Sequence, residues 1–454
     1  MKKKYKLRNI FLGLFVGLLA LIPVSLAISG YLENRSKLQY TYGDTSIENP
    51  SIYPDTKFAV ISDIHFYDVS LGTTGKAFEK ALNSDRKLLM ESSDLLNLAV
   101  DNIISSDVKF VLVTGDLTKD GELVNHVKAA EAFAKLKQKG IKVCVIPGNH
   151  DVNNPGASRY EGNSAVSVPN VSFEQFTDIY KNYGYGDAIY HDENSLSYVA
   201  EPVKNLWVVA VDSTRSSENK SGTEEIVSGK LSQSQEQWLE GVLKKARQNG
   251  KAVIYMEHHG VVEHWKGQAK LHPDYLIQDY NHVGKFLASY GVRLAFTGHY
   301  HAQDITMSDF GVDGKLYDIE TGSLITAPCT IRYCKISGNK LNIESAKLVE
   351  KYKPGTDFAA NAARFVKKNV KLEAYNTLRK FFVSEKDSEY IGDNVAAAFY
   401  AHYNGDEKAA ERPFFDTDRL SLWGRIVYST EKYVIDGLWR DLPPEDNNTT
   451  INLN

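Results

Sequence analysis

Short apolar runs of five to seven residues recur along the first 350 positions, separated by longer segments of mixed character. Such runs are typical of strands that are covered on both faces of a sheet. The spacing of apolar positions between them predicts helices, so the alternation favours an α/β layered architecture. The predicted strands span 57–62, 108–114, 142–147, 252–256 and 292–297, and the predicted helices span 86–104, 122–139, 173–183, 232–248 and 274–290.

The pattern changes after residue 350, where Lys353-Pro354-Gly355 interrupts the chain. Beyond this point, residues 358–382, 394–403 and 420–439 have apolar positions at helical spacing. We therefore expect a first folded domain over 52–350, a helical C-terminal domain over 356–442 and a disordered acidic tail over 443–454. The aromatic residues of the helical domain are expected to pack its helices together, and the alternative is a cap over a substrate site.

The first 30 residues have the composition of a targeting segment. Basic residues between Lys2 and Arg8 precede an apolar stretch over 10–22, and Ser25-Leu26-Ala27 follows. This order predicts a secretory signal over 1–27 that is cleaved after Ala27, followed by a linker over 28–51. The alternative is an uncleaved membrane anchor, because the apolar stretch continues to about Gly30. In either case we expect the rest of the chain to be exported, with membrane contact only through this segment.

Composition narrows the class of protein further. The 454 residues are 43% hydrophobic and 24% charged, which is globular, and removal of residues 1–27 would shift the net charge from −4 to about −9. An acidic surface disfavours binding of long nucleic acid and is compatible with a small soluble substrate. The three cysteines are too few for a disulfide scaffold. Cys144 is expected to be buried and inert, whereas Cys329 and Cys334 could pair across a tight turn.

Metal-capable side chains follow the five predicted strands. Because ligands collect beyond the carboxyl ends of strands in α/β sheets, these loops are expected to converge. Carboxylate, carboxamide and imidazole groups suit Mn, Fe, Zn and similar divalent ions, and there are enough of them for two adjacent sites. The motifs are Asp63-x-His65, Gly115-Asp116, Gly148-Asn149-His150-Asp151, His258-His259 and Gly298-His299-Tyr300-His301.

In this order, the motifs resemble the pattern D-x-H, GD, GNH, H and GHxH of the calcineurin-like metallophosphoesterase family, over about residues 57–301. The resemblance implies two packed mixed β-sheets flanked by helices. It also implies that His150 is the acid that protonates the leaving group, and that a hydroxide between the metals is the nucleophile. The implied ligands are Asp63, His65, Asp116 and His301 for the first metal, and Asp116 as a bridge with Asn149, His258 and His299 for the second.

Departures from the family pattern leave two choices open. Lys119 stands where relatives have the aspartate that orients the general-acid histidine, so Asp120 and Asp151 are the candidates for that role. The same segment lacks the Asp-Arg pair of Ser/Thr protein phosphatases, which disfavours a protein phosphatase. His258 is preferred to His259 as a ligand because single-histidine relatives align at the first position. His126 is expected to face solvent from its helix, with lining of the site as the alternative.

We therefore expect an exported enzyme, a binuclear-metal-dependent phosphoric ester hydrolase that prefers phosphodiesters. Two cations screen the charge of a phosphodiester and lower the pKa of an attacking water, and a positioned acid helps a poor leaving group to depart. The exported domain with a helical C-terminal extension resembles bacterial phosphodiesterases acting on cyclic nucleotides. The alternatives are a phosphomonoesterase or 5′-nucleotidase, and a non-catalytic surface protein that keeps the metals for stability.

Overall fold

The computed structural model describes residues 51–453 of the chain. The signal or anchor predicted over 1–27 lies outside these residues, as does all but the last residue of the linker predicted over 28–51. Within 51–453, none of the helices is both long enough and apolar enough to cross a membrane.

Two mixed β-sheets form the framework of the molecule. The first has the order β15-β14-β13-β1-β2-β3 and the second has the order β11-β12-β10-β9-β8-β7-β6. The strands are β1 Thr56–Ile61, β2 Phe110–Val113, β3 Lys142–Val145, β4 Ser158–Glu161, β5 Ser164–Ser167, β6 Tyr190–His191, β7 Tyr198–Val203, β8 Leu206–Ala210, β9 Ala252–Met256, β10 Leu294–Thr297, β11 Asp304–Asp309, β12 Lys315–Glu320, β13 Thr330–Ser337, β14 Lys340–Lys347 and β15 Asn448–Asn452, of which β4 and β5 form a separate hairpin.

Each sheet contains a run of parallel strands. β1 pairs with β2 and β2 with β3 in this way, and so do β8, β9, β10 and β12 of the second sheet. The residues of β2, β8, β9 and β10 are all buried, as expected for parallel strands covered on both faces. Antiparallel strands complete one side of the first sheet and both edges of the second. All five predicted strands are present, each within two residues of its expected start.

The two sheets pack face to face around one apolar core. The ring of Phe58 on β1 meets the ring of Phe296 on β10 edge to face, with centroids 5.4 Å apart. The hydroxyl of Tyr198 on β7 donates a hydrogen bond to the Val145 carbonyl on β3, at 2.8 Å. Contacts of this kind bury the inner face of each sheet. The predicted fold, two packed mixed sheets flanked by helices, is confirmed.

Ten α-helices accompany the sheets in the described part of the chain. They are α1 Lys76–Asn83, α2 Ser92–Ile104, α3 Leu123–Gln138, α4 Phe173–Ile179, α5 Gln233–Gln248, α6 Gln268–Leu271, α7 Tyr280–Ser289, α8 Phe358–Lys380, α9 Glu385–Asn404 and α10 Leu422–Leu438. The helix predicted over 86–104 begins only at Ser92, because the backbone of Leu88 is not helical (φ −80°, ψ 64°) and a short 3₁₀ turn, Leu89–Glu91, comes before the α-helix. The helix predicted over 274–290 begins at Tyr280, after Asp279 in a left-handed conformation with φ 59°.

The C-terminal residues differ from their prediction in one respect. Helices α8, α9 and α10 form the expected helical region, but the tail predicted to be disordered contains β15, which pairs antiparallel with β14. Ile451 and Leu453 are buried, and this apolar burial holds the polar end of the chain on the sheet. Residues 51–453 all belong to one compact unit. Cys144, Cys329 and Cys334 are buried and unpaired, so the alternative of a Cys329–Cys334 disulfide is not realised.

Candidate metal centre

The five motifs come together at one edge of the two sheets. Each follows the carboxyl end of a strand, where the parallel arrangement of β1–β3 and of β9–β10 directs the loops to the same side. The backbone N–H of Asp63 donates to the Gly115 carbonyl at 3.1 Å and that of Gly298 donates to the His258 carbonyl at 3.0 Å. These bonds join neighbouring loops, so the convergence predicted from the sequence is present.

Asp63, His65, Asp116 and His301 form the first group, in which one ligand atom of each residue lies within 4.8 Å of the others. The His65 Nε2 atom is 3.1 Å from His301 Nε2 and 3.5 Å from Asp116 Oδ2. The His301 Nε2 atom is 3.2 Å from Asp63 Oδ1. Separations of this size are those between ligand atoms that share one ion about 2.0–2.2 Å away.

Asp116, His258 and His299 form the second group, in which one ligand atom of each residue again lies within 4.8 Å of the others. The His258 Nε2 atom is 3.4 Å from Asp116 Oδ2 and 3.2 Å from the carboxamide oxygen of Asn149. The Oδ2 atom of Asp116 therefore faces both groups, which is the position of a bridging carboxylate. The seven residues proposed from the sequence as ligands all lie in these two neighbouring groups or, for Asn149, directly against the second.

His258, rather than its neighbour, faces the second group. The imidazole of His259 is engaged elsewhere, with Nδ1 2.8 Å from the Ser213 hydroxyl and Nε2 2.8 Å from the Val227 carbonyl. The Nδ1 atom of His258 lies 2.8 Å from the Thr114 carbonyl, which fixes the ring so that Nε2 points at Asp116. Such a contact on the remote nitrogen is the usual way of orienting a ligand histidine.

Backbone strain is concentrated at this edge. Five residues of the two groups adopt positive φ angles, a region that non-glycine residues rarely occupy, and these are Asp63 (50°), His65 (40°), Asp116 (50°), His299 (73°) and His301 (67°). Strained conformations of this kind cost on the order of 1–3 kcal/mol each and persist where the surroundings impose them. The sharp turns direct successive side chains towards a common centre.

The glycines of the motifs are needed because the ligands pass close to the backbone. A Cβ atom at Gly148 would lie 2.1 Å from Asp116 Oδ1, and one at Gly298 would lie 2.0 Å from Ser62 Oγ and 2.6 Å from Asp63 Oδ2. Real Cβ atoms do not approach so closely. Any side chain at these two positions would therefore displace a candidate ligand.

The chemistry of the donor atoms fits two divalent metal ions. The Oδ1 atom of Asp63, which faces the first group, is buried and has no hydrogen-bond partner among the described residues. Burial lowers the pKa values of His65 and His299 well below the ordinary histidine value, which leaves both rings neutral. Although burial opposes it, the adjacent imidazoles, His258 first, hold the pKa of Asp116 well below its usual range. Neutral imidazoles and charged carboxylates are the forms that bind metals.

His150 lies at the open side of the centre. Its side chain is 17% exposed, whereas those of Asp63, His65 and His258 are fully buried. Its Nδ1 atom is 3.0 Å from Asp120 Oδ1, and its Nε2 atom is 4.0 Å from Asp116 Oδ2. Burial and the charge of a nearby lysine oppose protonation, but Asp116 and the bond to Asp120 raise the pKa of His150 to about 9. The imidazole is thus kept in the form that can donate a proton.

Asp120 is the group that orients His150. Asp151 is turned away, since its carboxylate accepts hydrogen bonds from the backbone N–H groups of Gly148, Leu117 and Thr118. Lys119 forms an ion pair with Asp120 and so stabilises its charge. His126, expected to face solvent, is instead buried, with Nε2 2.8 Å from the Asp151 carbonyl. It supports the backbone of the motif from behind.

The sequence motifs did not include Lys87, a buried lysine next to the centre. It lies in the segment between α1 and α2, and its charge is among the causes that lower the pKa values of His65 and His150. The half-buried ring of Tyr275 was also missed, although its centroid is 4.6 Å from that of His299. A lone lysine and a lone tyrosine in polar segments give no periodic or spaced signal.

A known protein family matches the segment of the chain that contains these motifs. The family model described as calcineurin-like phosphoesterase matches residues 56–303. Similar solved structures include a dimetal phosphatase from Danio rerio (17% identity, 65% of this chain and 96% of the other, TM-score 0.45). A sulfate thiohydrolase from Thermus thermophilus has 13% identity over 71% and 61% of the chains, with a TM-score of 0.36. A predicted phosphoesterase from Streptococcus pneumoniae has 10% identity over 65% and 91%, with a TM-score of 0.27. No curated protein matches the sequence.

Proposed function

The chain belongs to the calcineurin-like phosphoesterase family, and we propose that this metal-dependent phosphoester hydrolase prefers small phosphodiesters, with cyclic nucleotides as the substrate class. The observation that carries the proposal is the pair formed by His150 and Asp120 beside the bridging carboxylate. The alkoxide released from a diester is a poor leaving group, so it needs protonation as it departs. A protonated histidine held at the mouth of the centre meets this need.

Two bound divalent ions would screen the charge of the phosphoryl group and lower the pKa of an attacking water. The chain's own residues do the rest. Asp120 accepts the Nδ1–H of His150, which fixes the tautomer and leaves Nε2–H free to donate to the leaving oxygen. The backbone N–H of His150 donates to Asp116 Oδ1 at 3.0 Å, so the acid and the bridging carboxylate keep a constant separation.

An aromatic ring beside the centre supports a nucleotide as the substrate. Tyr275 is half-buried and its ring lies next to His299 in the second group. The Tyr300 ring meets Tyr275 edge to face, with centroids 4.9 Å apart, which limits the movement of Tyr275. Stacking of a base on such a ring contributes about 1–3 kcal/mol. Tyr275→Leu should therefore raise the KM for a cyclic nucleotide about fivefold or more, while the metal content stays the same.

Export completes the proposal. The basic and apolar segment over 1–30 supports a protein that is secreted or tethered to the outer face of the cytoplasmic membrane. A net charge near −9 after residue 27 supports a small soluble substrate over long nucleic acid. Fractionation of cells that express the full chain tests this part, because recovery in the cytosol with an intact N-terminus would contradict it.

The proposed activity is tested by hydrolysis of bis(p-nitrophenyl) phosphate and of p-nitrophenyl phosphate, with Mn²⁺ added or with EDTA. We expect faster metal-dependent cleavage of the diester and loss of that activity in His150→Ala. Preference for the monoester would make the protein a phosphatase or nucleotidase. Two bound metals without hydrolysis of either substrate would identify a binding protein instead.

A further inference from the structure

A short segment, Asp85–Leu88, lies between the metal centre and the C-terminal helices. It links α1 to the turn before α2 and is not itself helical. Its first two residues contact the C-terminal helices, and its last residue contacts a loop of the metal centre. The segment therefore connects the C-terminal helices to the residues that would hold the metals of the predicted centre.

The C-terminal helices hold the first half of this segment. The carboxamide of Asn369 on α8 donates a hydrogen bond to the Asp85 carbonyl. The guanidinium of Arg86 donates to the Tyr403 hydroxyl on α9 at 3.0 Å and forms an ion pair with Glu373 on α8. Tyr403 is buried, so its bond to Arg86 is shielded from water.

The metal centre holds the second half. The backbone N–H of Leu88 donates to the Ile325 carbonyl at 2.7 Å. The next residue, Thr326, has its hydroxyl 3.3 Å from Nδ1 of the candidate ligand His301. The position of Leu88 is thus fixed relative to the first ligand group, one residue away from Lys87.

Lys87 lies between these two anchors and is only 7% exposed. Its ammonium is 3.1 Å from Asp85 Oδ2. Burial lowers the pKa of Lys87, but Asp85, Asp116 and Asp120 outweigh this and raise it. Two of these three carboxylates belong to the bridge and to the acid pair of the centre. The ammonium of Lys87, paired with Asp85, therefore lies close enough to the centre to interact with Asp116 and His150.

We propose that Lys87 binds a non-bridging oxygen of the substrate's phosphoryl group, and that helices α8 and α9 position it through the Asp85–Arg86 contacts. The inference rests on the proposed function of the same centre. A fixed cation with an ammonium donor is suited to a phosphoryl anion, and bonds to charged groups are about twice as strong as neutral ones. Asp85 is the counter-ion of Lys87 when no substrate is bound. The C-terminal helical region is then a working part of the active site.

Binding of inorganic phosphate to the manganese-loaded full chain tests the role of Lys87. We expect Lys87→Met to raise the Kd for phosphate, measured by calorimetry, about tenfold or more while two metals per chain remain. Lys87→Arg retains the charge and is expected to recover most of the affinity. Lys128→Met is the matched control, because Lys128 is an exposed lysine of α3 paired with Glu131, and its phosphate Kd should equal that of the wild type.

Two variants of the C-terminal helices test the positioning. Glu373→Gln and Tyr403→Phe each remove one partner of Arg86 and should raise the phosphate Kd about two- to fivefold, less than Lys87→Met does. A rise in the phosphate Kd at an unchanged melting temperature separates positioning from a loss of stability. Glu389→Gln on α9 is the matched control on the same helix pair, because Glu389 pairs with Lys371 of α8 instead of with Arg86.

The outcomes are separable. Wild-type phosphate affinity in metal-loaded Lys87→Met would overturn the inference and leave Lys87 as the counter-ion of Asp85 alone. Equal affinity in Glu373→Gln, Tyr403→Phe and wild type would overturn the positioning role. If Lys87→Met fails to fold, Lys87→Gln replaces it, and wild-type phosphate affinity in that metal-loaded variant would overturn the inference. A wild-type chain that binds phosphate but cleaves no phosphoester would defeat the proposed function and not the assignment of Lys87.

Discussion

The metal-binding edge and the C-terminal helical region differ in how the residues that act at the metal centre are distributed along the sequence. At the edge, every ligand stands within a few residues of a strand end, in a motif of two to four residues. The helical region approaches the same centre through Arg86 and its contacts with Glu373 and Tyr403. The candidate metal ligands stand in short motifs, so they can be recognised in the sequence. The contacts that position Arg86 join residues far apart in the chain and leave no local pattern.

The largest effect is expected at the bridge, which tests whether the edge is one centre or two independent sites. Asp116→Asn replaces the carboxylate whose Oδ2 faces both ligand groups, so both metals should be lost and hydrolysis should fall about a thousandfold or more. Metal content after dialysis and the rate on bis(p-nitrophenyl) phosphate measure this. Asp178→Asn, at an exposed position of α4, is the control. Retention of one full metal equivalent in Asp116→Asn would contradict a shared bridge.

The second prediction concerns the close packing of the edge. Gly298→Ala would place a methyl group 2.0 Å from Ser62 Oγ, so the loop has to move and Asp63 with it. We expect the free energy of unfolding to fall by about 2–4 kcal/mol and the metal content to drop. The matched control is Gly241→Ala within α5, where a Cβ meets nothing within 4 Å and helix propensity predicts a gain of about 1 kcal/mol. Equal stability of the two variants would show that the edge tolerates expansion.

The third prediction uses the pH dependence of the acid. Asp120→Asn removes a charge that raises the pKa of His150, so that pKa should fall from about 9. A general acid works below its pKa, and activity is lost as the pH rises through it. The alkaline limb of the pH–rate profile should therefore move to lower pH in Asp120→Asn, with a loss of about tenfold near neutral pH. Asn in place of Asp151 would instead disturb the backbone, and an unchanged alkaline limb in Asp120→Asn would remove Asp120 from the orienting role.

Local patterns predicted the five strands and the loops that carry the candidate metal ligands, since both depend on short segments. The choice between His258 and His259 required the structure, because only the contacts of His259 with Ser213 and Val227 show that its nitrogens are used elsewhere. Lys87 could not be predicted from the sequence for the same reason, because its position depends on Asn369 and Glu373, about 280 residues further along the chain. The β15 tail was missed because only Ile451 and Leu453 in a polar segment indicate burial.

The smallest expected effect concerns a rare backbone conformation that occurs both at the metal-binding edge and in the C-terminal helical region. Asp63 has φ 50° and Phe382, just after α8, has φ 59°, but Phe382 is 88% exposed. Phe382→Gly should therefore relieve strain and raise the free energy of unfolding by about 1 kcal/mol, with two metals retained. Asp63→Gly relieves the same strain but should lose the first metal. A loss of metal content or stability in Phe382→Gly would show that this left-handed turn is also required by the metal centre. Unchanged metal content with higher stability would show that the strained backbone is needed only where the side chain is a candidate ligand.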